Sequence, residues 1–427
     1  MTTHVATMLQ HGGRDNARRL RMLKLALLRE HFARDPSLVE GFERLRAALA
    51  ERTADDVLDH GTTFFWKSVH ACCGETVGVG AGFHRSANYL LRTGFDSYFD
   101  WLPDGAALSL PPDDVSDLVL PRLGLHVPSR GEPILLCRKD ATTIDLRVGD
   151  RAIEVNIHHV DPSLALRCFD VPGSRGARLV LVGDASLFDE PYRDRITPDI
   201  ANGDALAALI GRSLALIEAA DPELGARLDS SVDWYFPIDS PDQMTHNSFS
   251  VRYLFGAIFL SAAYEDLRLA EAMVHEFHHN ELYLLQESEM LAGVVENDVF
   301  YSPFRPDPRP FDGLMHALFV FTGVANFIAR AERLPTMTAQ ARGLRHRRCE
   351  VVRQLRIGLT QVPSARLTPI GAELVELVTV DVVRHEEEFG PLRGLLPEPL
   401  AVHLSNWKTA HAGARHLIQI PEGVEVQ

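Results

Sequence analysis

Apolar residues are spaced differently in the two halves of this chain of 427 residues. Between Ala106 and Ala185 they form short, often alternating stretches separated by Gly, Pro and Asp, a pattern typical of β-strands. After Asp184 longer amphipathic stretches predominate, as expected of helices. Strands followed by helices predict an α+β fold, with short strands in a mixed N-terminal region and a mainly helical C-terminal region. We place the boundary at residue 184, which gives regions 1–184 and 185–427.

The same periodicities predict the individual elements. Strand signals are Leu108–Leu110, Leu118–Leu120, Ile134–Cys137, Ile144–Val148, Ala152–His158, Leu179–Val182 and Val232–Phe236. Helix signals are Asn16–His31, Ser37–Arg52, Phe64–Cys73, Ala87–Arg92, Gly203–Ala220, Leu314–Arg330, Thr338–Gly358 and Gly371–Glu388. The segment Ser248–Leu260 is apolar and partly β-branched, and it indicates one strand or buried segment.

The charge of the chain argues against a general nucleic-acid-binding protein. Its 43 Lys and Arg residues against 58 Asp and Glu residues give a formal net charge of -15. Binding to phosphates needs a basic surface instead. We therefore expect no nucleic-acid partner.

The cysteines and the apolar runs predict a cytoplasmic protein without a membrane partner. The five cysteines include no CxxC pair, so neither a disulfide framework nor a cysteine zinc site is expected. Residues 1–15 are polar and lack the apolar core of a signal peptide. No uninterrupted apolar run approaches the roughly 20 residues that span a bilayer. The oligomeric state stays open.

The run Leu267–Leu285 contains neither Gly nor Pro and predicts a buried helix that carries an HExxH motif. On a helix, His275 and His279 lie one turn apart and project from the same face. Two neutral imidazoles at this spacing can hold one metal ion, and Glu276 then lies beside the oxygen species that the metal binds. The alternative is a buried helix whose histidines are satisfied by hydrogen bonds.

A metal that takes part in chemistry needs a third protein ligand and open positions for substrate. The downstream candidates are Glu287, Glu289, Glu296 and His316. Glu287 would lie on the order of 12 Å beyond His279 along a continuous helix, so it can bind the same ion only if the helix breaks. Glu296 fits a gluzincin arrangement. His316 begins a second apolar helix and is favoured by its position, followed by Glu287. The alternative for each is a solvated carboxylate or a hydrogen-bonded histidine.

The loop between these two helices is the second informative stretch. Prolines at positions 303, 306, 308 and 310 stiffen it and thereby fix Arg305 and Arg309. A fixed guanidinium group is a natural bidentate partner for a carboxylate. The alternative is that these arginines pair with Asp307 or Asp312, as many surface charges do. If the arginines do not pair in this way, the loop predicts a carboxylate receptor beside the metal, as a dicarboxylate cosubstrate would need.

Several motifs, in this order, resemble those of a known enzyme family. They are Asp189-Glu190-Pro191-Tyr192-Arg193, His275-Glu276-Phe277-His278-His279, Ser302-Pro303-Phe304-Arg305-Pro306-Asp307-Pro308-Arg309-Pro310, Gly313-Leu314-Met315-His316-Ala317, Leu367-Thr368-Pro369 and Gly371. The set resembles HExxH-type peptide β-hydroxylases, which depend on 2-oxoglutarate and iron. These enzymes act on precursor peptides of ribosomally synthesised, post-translationally modified natural products. The resemblance covers approximately Ala185 to Gly390 and leaves the first third of the chain unexplained.

The resemblance implies a non-haem Fe(II) ion held by His275, His279 and a third ligand that is often a carboxylate. It leaves both Glu287 and His316 as candidates for that ligand. It also implies that Glu276 orients an iron-bound water or another ligand, instead of acting as the base of a protease.

The resemblance further implies that Arg305 and Arg309 anchor 2-oxoglutarate. The expected cofactors are therefore Fe(II) and 2-oxoglutarate, and the expected partners are O2 and a precursor peptide. The implied reaction is β-hydroxylation of one residue of that peptide.

Two other functions remain compatible with the sequence. A zinc metallopeptidase of the gluzincin-like HExxH type would use Glu276 to activate a zinc-bound water. A non-catalytic peptide-binding protein would carry the motif without using it. Under the hydroxylase interpretation, we hypothesise that region 1–184 helps to hold the precursor peptide, because region 185–427 already supplies a full set of catalytic candidates.

Overall fold

The computed structural model describes residues 21–26, 28, 36–60, 63–74, 90–110, 117–128, 131–180, 203–238, 247–252, 254–261, 265–293, 299–389, 394–395, 398–411 and 424–425. The fold is α+β, as predicted, with strands mainly in the N-terminal half and helices in the C-terminal half.

Contacts divide the chain into two compact units that are interleaved along the sequence. The N-terminal unit comprises the described parts of Asn16–Gly211 and Ser231–Ala263, and the C-terminal unit comprises the described parts of Arg212–Ser230 and Tyr264–Gln427. The predicted boundary at residue 184 itself lies outside the described residues. The contacts differ from that prediction in assigning the described parts of 203–211 and 231–263 to the N-terminal unit.

Helices and an aromatic core open the N-terminal unit. The helices are α1 (Pro36–Ala50), α2 (Ala54–His60) and α3 (Thr63–Gly74), and residues 21–26 and 90–97 are also helical. The rings of Phe65 and Tyr98 meet edge to face with centres 5.0 Å apart. The hydroxyl of Tyr98 donates to the carbonyl of Val57 at 2.8 Å, so this buried polar group is satisfied.

The remaining part of this unit is built from short strands. They are β1 (Ala107–Leu110), β2 (Asp117–Leu120), β3 (Leu125–Pro128), β4 (Ile134–Arg138), β5 (Thr143–Val148), β6 (Arg151–Asn156), β7 (Cys168–Asp170), β8 (Arg178–Val180), β9 (Trp234–Pro237), β10 (Ser248–Phe249) and β11 (Ala257–Leu260). An antiparallel sheet has the order β1-β4-β5-β6, β2 and β3 form a hairpin, and a mixed sheet has the order β10-β11-β9-β8-β7. The predicted single segment Ser248–Leu260 is therefore two strands, separated by a turn in which Gly256 has a φ of +83°.

The C-terminal unit is mainly helical. Its helices are the end of α4 (Gly203–Ala220), α5 (Pro222–Asp229), α6 (Asp266–Ser288), α7 (Phe311–Ala331), α8 (Ala341–Thr360), α9 (Pro369–Phe389) and α10 (Glu398–Ala410). Two short strand pairs accompany them, β12 (Val299–Phe300) with β13 (Arg309–Pro310) and β14 (Gly394–Leu395) with β15 (Val424–Glu425).

Helix α7 is the central helix of this unit and packs closely on α6. Within the described residues it is the one helix that could cross a membrane by length and composition. Its apolar window has a mean hydropathy of 1.4 and is 72% buried inside the fold, as in core helices generally. A Cβ atom on Gly323 would lie only 1.9 Å from Cδ2 of His278. The missing side chain thus lets the His278 ring of α6 lie directly on α7.

Replacement of Gly323 by alanine should separate α6 from α7. We expect Gly323→Ala to lower the free energy of unfolding by about 1–3 kcal/mol, because the added methyl group overlaps a buried ring. Gly343→Ala on α8 is the matched control, since a Cβ there meets nothing within 4 Å. That control should be neutral or stabilise by up to about 1 kcal/mol through helix propensity. Urea unfolding of both variants measures the difference, and equal midpoints would contradict the close approach.

A buried ion network joins α8 to α9 and to the residue after α7. Arg348 is fully buried, and its Nη2 atom donates to Glu332 at 2.9 Å and to Glu388 at 2.7 Å. Its Nη1 atom lies 3.4 Å from Nδ1 of His385. Two carboxylates thus compensate the buried guanidinium charge.

His385 is held neutral by this environment. Its Nε2 atom donates to Oδ1 of Asn326 at 2.9 Å, which leaves Nδ1 facing Arg348. Burial, followed by the charges of Arg348 and Arg384, lowers the pKa of His385 to about 4, although neighbouring carboxylates oppose the shift.

The low pKa of His385 predicts a loss of stability in mild acid. An unfolded chain binds the histidine proton at about pH 6.5, whereas the folded chain binds it only near pH 4. The contribution of neutral His385 to the free energy of unfolding is therefore fully present above pH 6.5 and is lost as the pH falls towards 4. We expect this loss to be about 1–2 kcal/mol between pH 7 and pH 5. Urea unfolding at both pH values should show a smaller loss in His385→Asn than in the unsubstituted protein. The same loss in both proteins would exclude His385 as the cause.

Candidate functional site

Helix α6 places the two outer histidines of the HExxH motif on one face. It runs without interruption from Asp266 to Ser288 and contains the whole predicted run. Asp266 favours the first turn through the helix dipole and accepts from Nη2 of Arg212 at 3.0 Å. The rings of His275 and His279 are 4.9 Å apart between centres, with planes inclined by 71°.

His279 is chemically suited to bind a cation at neutral pH. Burial lowers its pKa well below the usual histidine value, and repulsion from the protonated forms of His316 and His278 and from Arg309 acts in the same direction. A neutral imidazole keeps the electron pair that a metal ion needs.

His278, the third histidine of the motif, belongs to the packing between α6 and α7. Its ring lies on Gly323, as described above, and burial lowers its pKa to about 3. Its Nδ1 atom lies 3.8 Å from Glu281, which in turn pairs with Arg227 at 3.1 Å. The motif therefore contains a core histidine beside the candidate ligands.

Glu276 is a buried carboxylate beside His275. It is 2% exposed, and its Oε1 atom lies 4.0 Å from Nε2 of His275. A carboxylate at this place can accept a proton or orient a group that binds next to the histidines.

Helix α7 brings His316 against His279. The two Nδ1 atoms are 2.9 Å apart, and the ring planes are inclined by 24° with centres 5.2 Å apart. Tyr283 packs against both rings, with its centre 4.6 Å from that of His316 and 6.0 Å from that of His279. His316 thus lies beside the motif, as its position in the sequence predicted.

The other nitrogen of His316 contacts an amide on α6. Nε2 of His316 is 2.8 Å from Oε1 of Gln286, and Nε2 of Gln286 donates to Oδ1 of Asp312. Oδ2 of Asp312 is 3.9 Å from Nε2 of His316. These contacts cross between α6 and α7 and join the two helices by polar groups.

Aromatic rings connect the arginine loop, residues 301–310, to the motif. Phe304 of the loop stacks on Phe321 of α7, with ring centres 4.1 Å apart and planes within 6°. Phe321 in turn meets the ring of His275 edge to face at 4.9 Å. The loop therefore lies next to the HExxH face and not away from it.

Both loop arginines lie near the carboxylate of Asp307. Nε of Arg305 is 3.5 Å from Oδ1, and Nε of Arg309 is 3.6 Å from Oδ2. A Cβ on Gly313 would lie 3.6 Å from the Arg309 side chain, so Arg309 lies along the first turn of α7. The alternative pairing predicted from the sequence is thus present with Asp307, although both distances are long for direct hydrogen bonds.

Helix α10 and the residue that follows it support the same loop. The hydroxyl of Tyr301 is 3.1 Å from Nδ1 of His403, and the Tyr301 ring meets Trp407 at 5.2 Å between centres. Nε2 of His411 donates to the carbonyl of Pro306 at 3.2 Å. The loop is thus fixed by contacts as well as by its prolines.

Glu287 does not join the two histidines. Because α6 continues to Ser288, Glu287 lies on the order of 12 Å beyond His279 along the helix axis. The helix break that ligation by Glu287 required is therefore absent. Glu289 is the extended residue that ends α6. Glu296 and residues 189–193 fall outside the described residues.

Within the described ranges, no group of three or more His, Cys, Asp and Glu side chains converges to hold a metal ion. The donor chemistry nevertheless fits a borderline cation such as Fe(II) or Zn(II), since imidazole ligands suit both. The pair His275 and His279 has the required spacing, and His279 has the required neutral form.

Gln286, Tyr283 and Phe321 were missed by sequence reasoning. Gln286 follows His279 by seven residues, which is two helical turns, and so lies on the same face of α6. That periodicity could have identified Gln286 and Tyr283. The place of Phe321 depends on how α6 and α7 cross, which the sequence does not state.

No protein-family model matches the chain, and no curated protein matches it significantly.

Titration of the metal-free protein with cobalt(II) should separate the three histidines of the motif. We expect His275→Ala and His279→Ala to abolish stoichiometric binding, because each removes one of two imidazoles. His278→Leu should retain it, because that side chain packs against Gly323. The visible absorption of bound cobalt(II) measures the stoichiometry. Equal loss in all three variants would argue against a site formed by the outer pair.

Proposed function

We propose that the protein is a non-haem Fe(II)- and 2-oxoglutarate-dependent dioxygenase that β-hydroxylates a residue of a ribosomally made precursor peptide. The observation that carries the proposal is the aromatic series from Phe304 through Phe321 to His275, because it brings the arginine loop to the HExxH face. A metal and a receptor for a small diacid are the two parts that such an enzyme needs together.

In this proposal His275 and His279 hold the iron. When bound, Fe(II) with 2-oxoglutarate and O2 supplies the oxidising power that replaces a β-hydrogen by hydroxyl, while 2-oxoglutarate becomes succinate and CO2. The protein contributes the imidazole of His275, the neutral imidazole of His279 and a buried carboxylate at Glu276. Glu276 orients a group bound beside His275, since Oε1 of Glu276 lies 4.0 Å from Nε2 of His275.

Arg305 and Arg309 receive the distal carboxylate of 2-oxoglutarate. The Nε atoms of Arg305 and Arg309 lie 3.5 and 3.6 Å from the Asp307 carboxylate, so among the described residues neither arginine has a short ionic hydrogen bond that an incoming carboxylate must replace. An incoming carboxylate can offer the shorter bidentate geometry that arginine prefers.

Anaerobic reconstitution tests the proposal. The protein is loaded with Fe(II) and titrated with 2-oxoglutarate, whose chelation gives a visible charge-transfer band, and O2 is then admitted with peptides encoded beside its gene. We expect succinate, and mass spectrometry should show a peptide with one added oxygen. Arg305→Ala and Arg309→Ala should each weaken 2-oxoglutarate binding about 10- to 100-fold, the range for loss of a charge-assisted hydrogen bond.

Arg342→Ala on α8 is the matched control for these substitutions. Arg342 is an exposed arginine of the same unit, and its loss should leave 2-oxoglutarate binding unchanged. Peptide cleavage by a zinc-loaded protein without 2-oxoglutarate would instead identify a metallopeptidase. Peptide binding without any metal requirement would identify a non-catalytic binding protein.

A further inference from the structure

His279 and His316 face each other head-on. A five-membered ring with bonds of about 1.35 Å places each nitrogen about 1.15 Å from the ring centre. Two such radii and the 2.9 Å between the Nδ1 atoms account for the 5.2 Å between ring centres. The two nitrogens therefore lie on the line that joins the rings, as in an N–H···N hydrogen bond.

Two imidazoles that share a metal ion have a different geometry. In such a site the electron pair of each nitrogen points at the ion, so the line from each ring centre through its nitrogen meets the other line at the metal. With metal–nitrogen bonds of about 2.1 Å and the same 2.9 Å between the nitrogens, the ring centres would be about 4.5 Å apart. The observed separation is 5.2 Å. The facing Nδ1 atoms thus have the geometry of a shared proton and not of a shared metal.

Asp312 determines where that proton lies. An ionised carboxylate only accepts, so Nε2 of Gln286 donates to it and Oε1 of Gln286 must face His316. This oxygen also only accepts, so Nε2 of His316 carries a proton at 2.8 Å from it. In neutral His316 the electron pair is then on Nδ1, where it accepts the Nδ1–H of His279.

We propose that His316, Gln286 and Asp312 are positioning residues that act through His279: they hold its proton on Nδ1, so that Nε2 is the atom offered to the metal. His316 is then not the third ligand. This series of hydrogen bonds passes between the two helices at each step. It runs from His279 on α6 to His316 on α7, back to Gln286 on α6 and again to Asp312 on α7. The part that concerns the metal rests on the proposed function, whereas the proton positions do not.

Nitrogen NMR of the metal-free full-length protein with 15N-labelled histidine tests the proton positions. We expect a proton on Nε2 of His316 and on Nδ1 of His279, with signals assigned by their loss in His316→Gln and His279→Gln. Gln286→Leu removes the acceptor and should give mixed tautomers of His316. Gln286→Glu keeps an acceptor and should restore the single tautomer. The opposite tautomers in the unsubstituted protein, or a His316 imidazolium, would overturn the proposed series of hydrogen bonds.

Cobalt(II) alone tests the metal part. X-ray absorption of the cobalt-loaded protein should count two imidazoles, and His316→Gln should keep both with an affinity lower by about 10- to 100-fold, the usual effect of losing a group that supports a ligand. His346→Gln, at an exposed histidine of α8, is the control and should bind as the unsubstituted protein does. Three imidazoles, with one lost in His316→Gln, would make His316 a ligand and overturn the inference.

The two experiments separate the possible failures. If the unsubstituted protein binds no cobalt, the proposed function fails, and the NMR signals still decide the proton positions. If cobalt binds to two imidazoles but the tautomers are reversed, the proposed function survives and the positioning chain does not.

Discussion

The contact between His278 and Gly323 is the constraint on which the candidate site depends. Because Gly323 has no side chain, the ring of His278 reaches the backbone of α7, where a Cβ would lie 1.9 Å from it. That close approach brings the next residue, His279, to 2.9 Å from His316. If α6 and α7 were further apart, the contact between the Nδ1 atoms of His279 and His316 would break, and so would both contacts of Gln286, since hydrogen bonds weaken rapidly with distance.

One short motif therefore combines side chains with different tasks. His278 packs against α7, the rings of His275 and His279 lie side by side on one face of α6, and the Glu276 carboxyl group is buried beside them. The arginine loop reaches this face through two ring contacts, Phe304 stacked on Phe321 and Phe321 edge to face with His275. For the proposed cosubstrate, rigid placement would matter because two groups bind a diacid well only when their separation is fixed in advance.

The sequence predicted the elements that local pattern determines. A run without Gly or Pro predicted α6 almost to its ends, and helical spacing put His275 and His279 on one face. The strand β3 was missed because Leu125–Pro128 is short and follows a turn. The segment Ser248–Leu260 was predicted as one element, although Gly256 divides it. The links of Gln286 and Asp312 to His316 depend on the crossing of α6 and α7, which local pattern does not encode.

The interleaving of the two units along the chain affects the order of events during synthesis. Residues 16–211 and 231–263 leave the ribosome before most of the C-terminal unit exists, so the N-terminal unit can complete first. Residues 212–230, which include α5, emerge between them but belong to the later unit. This segment cannot complete its contacts until α6 and α7 have been translated, because Arg227 pairs with Glu281 of α6 and Asp221 pairs with Arg330 of α7.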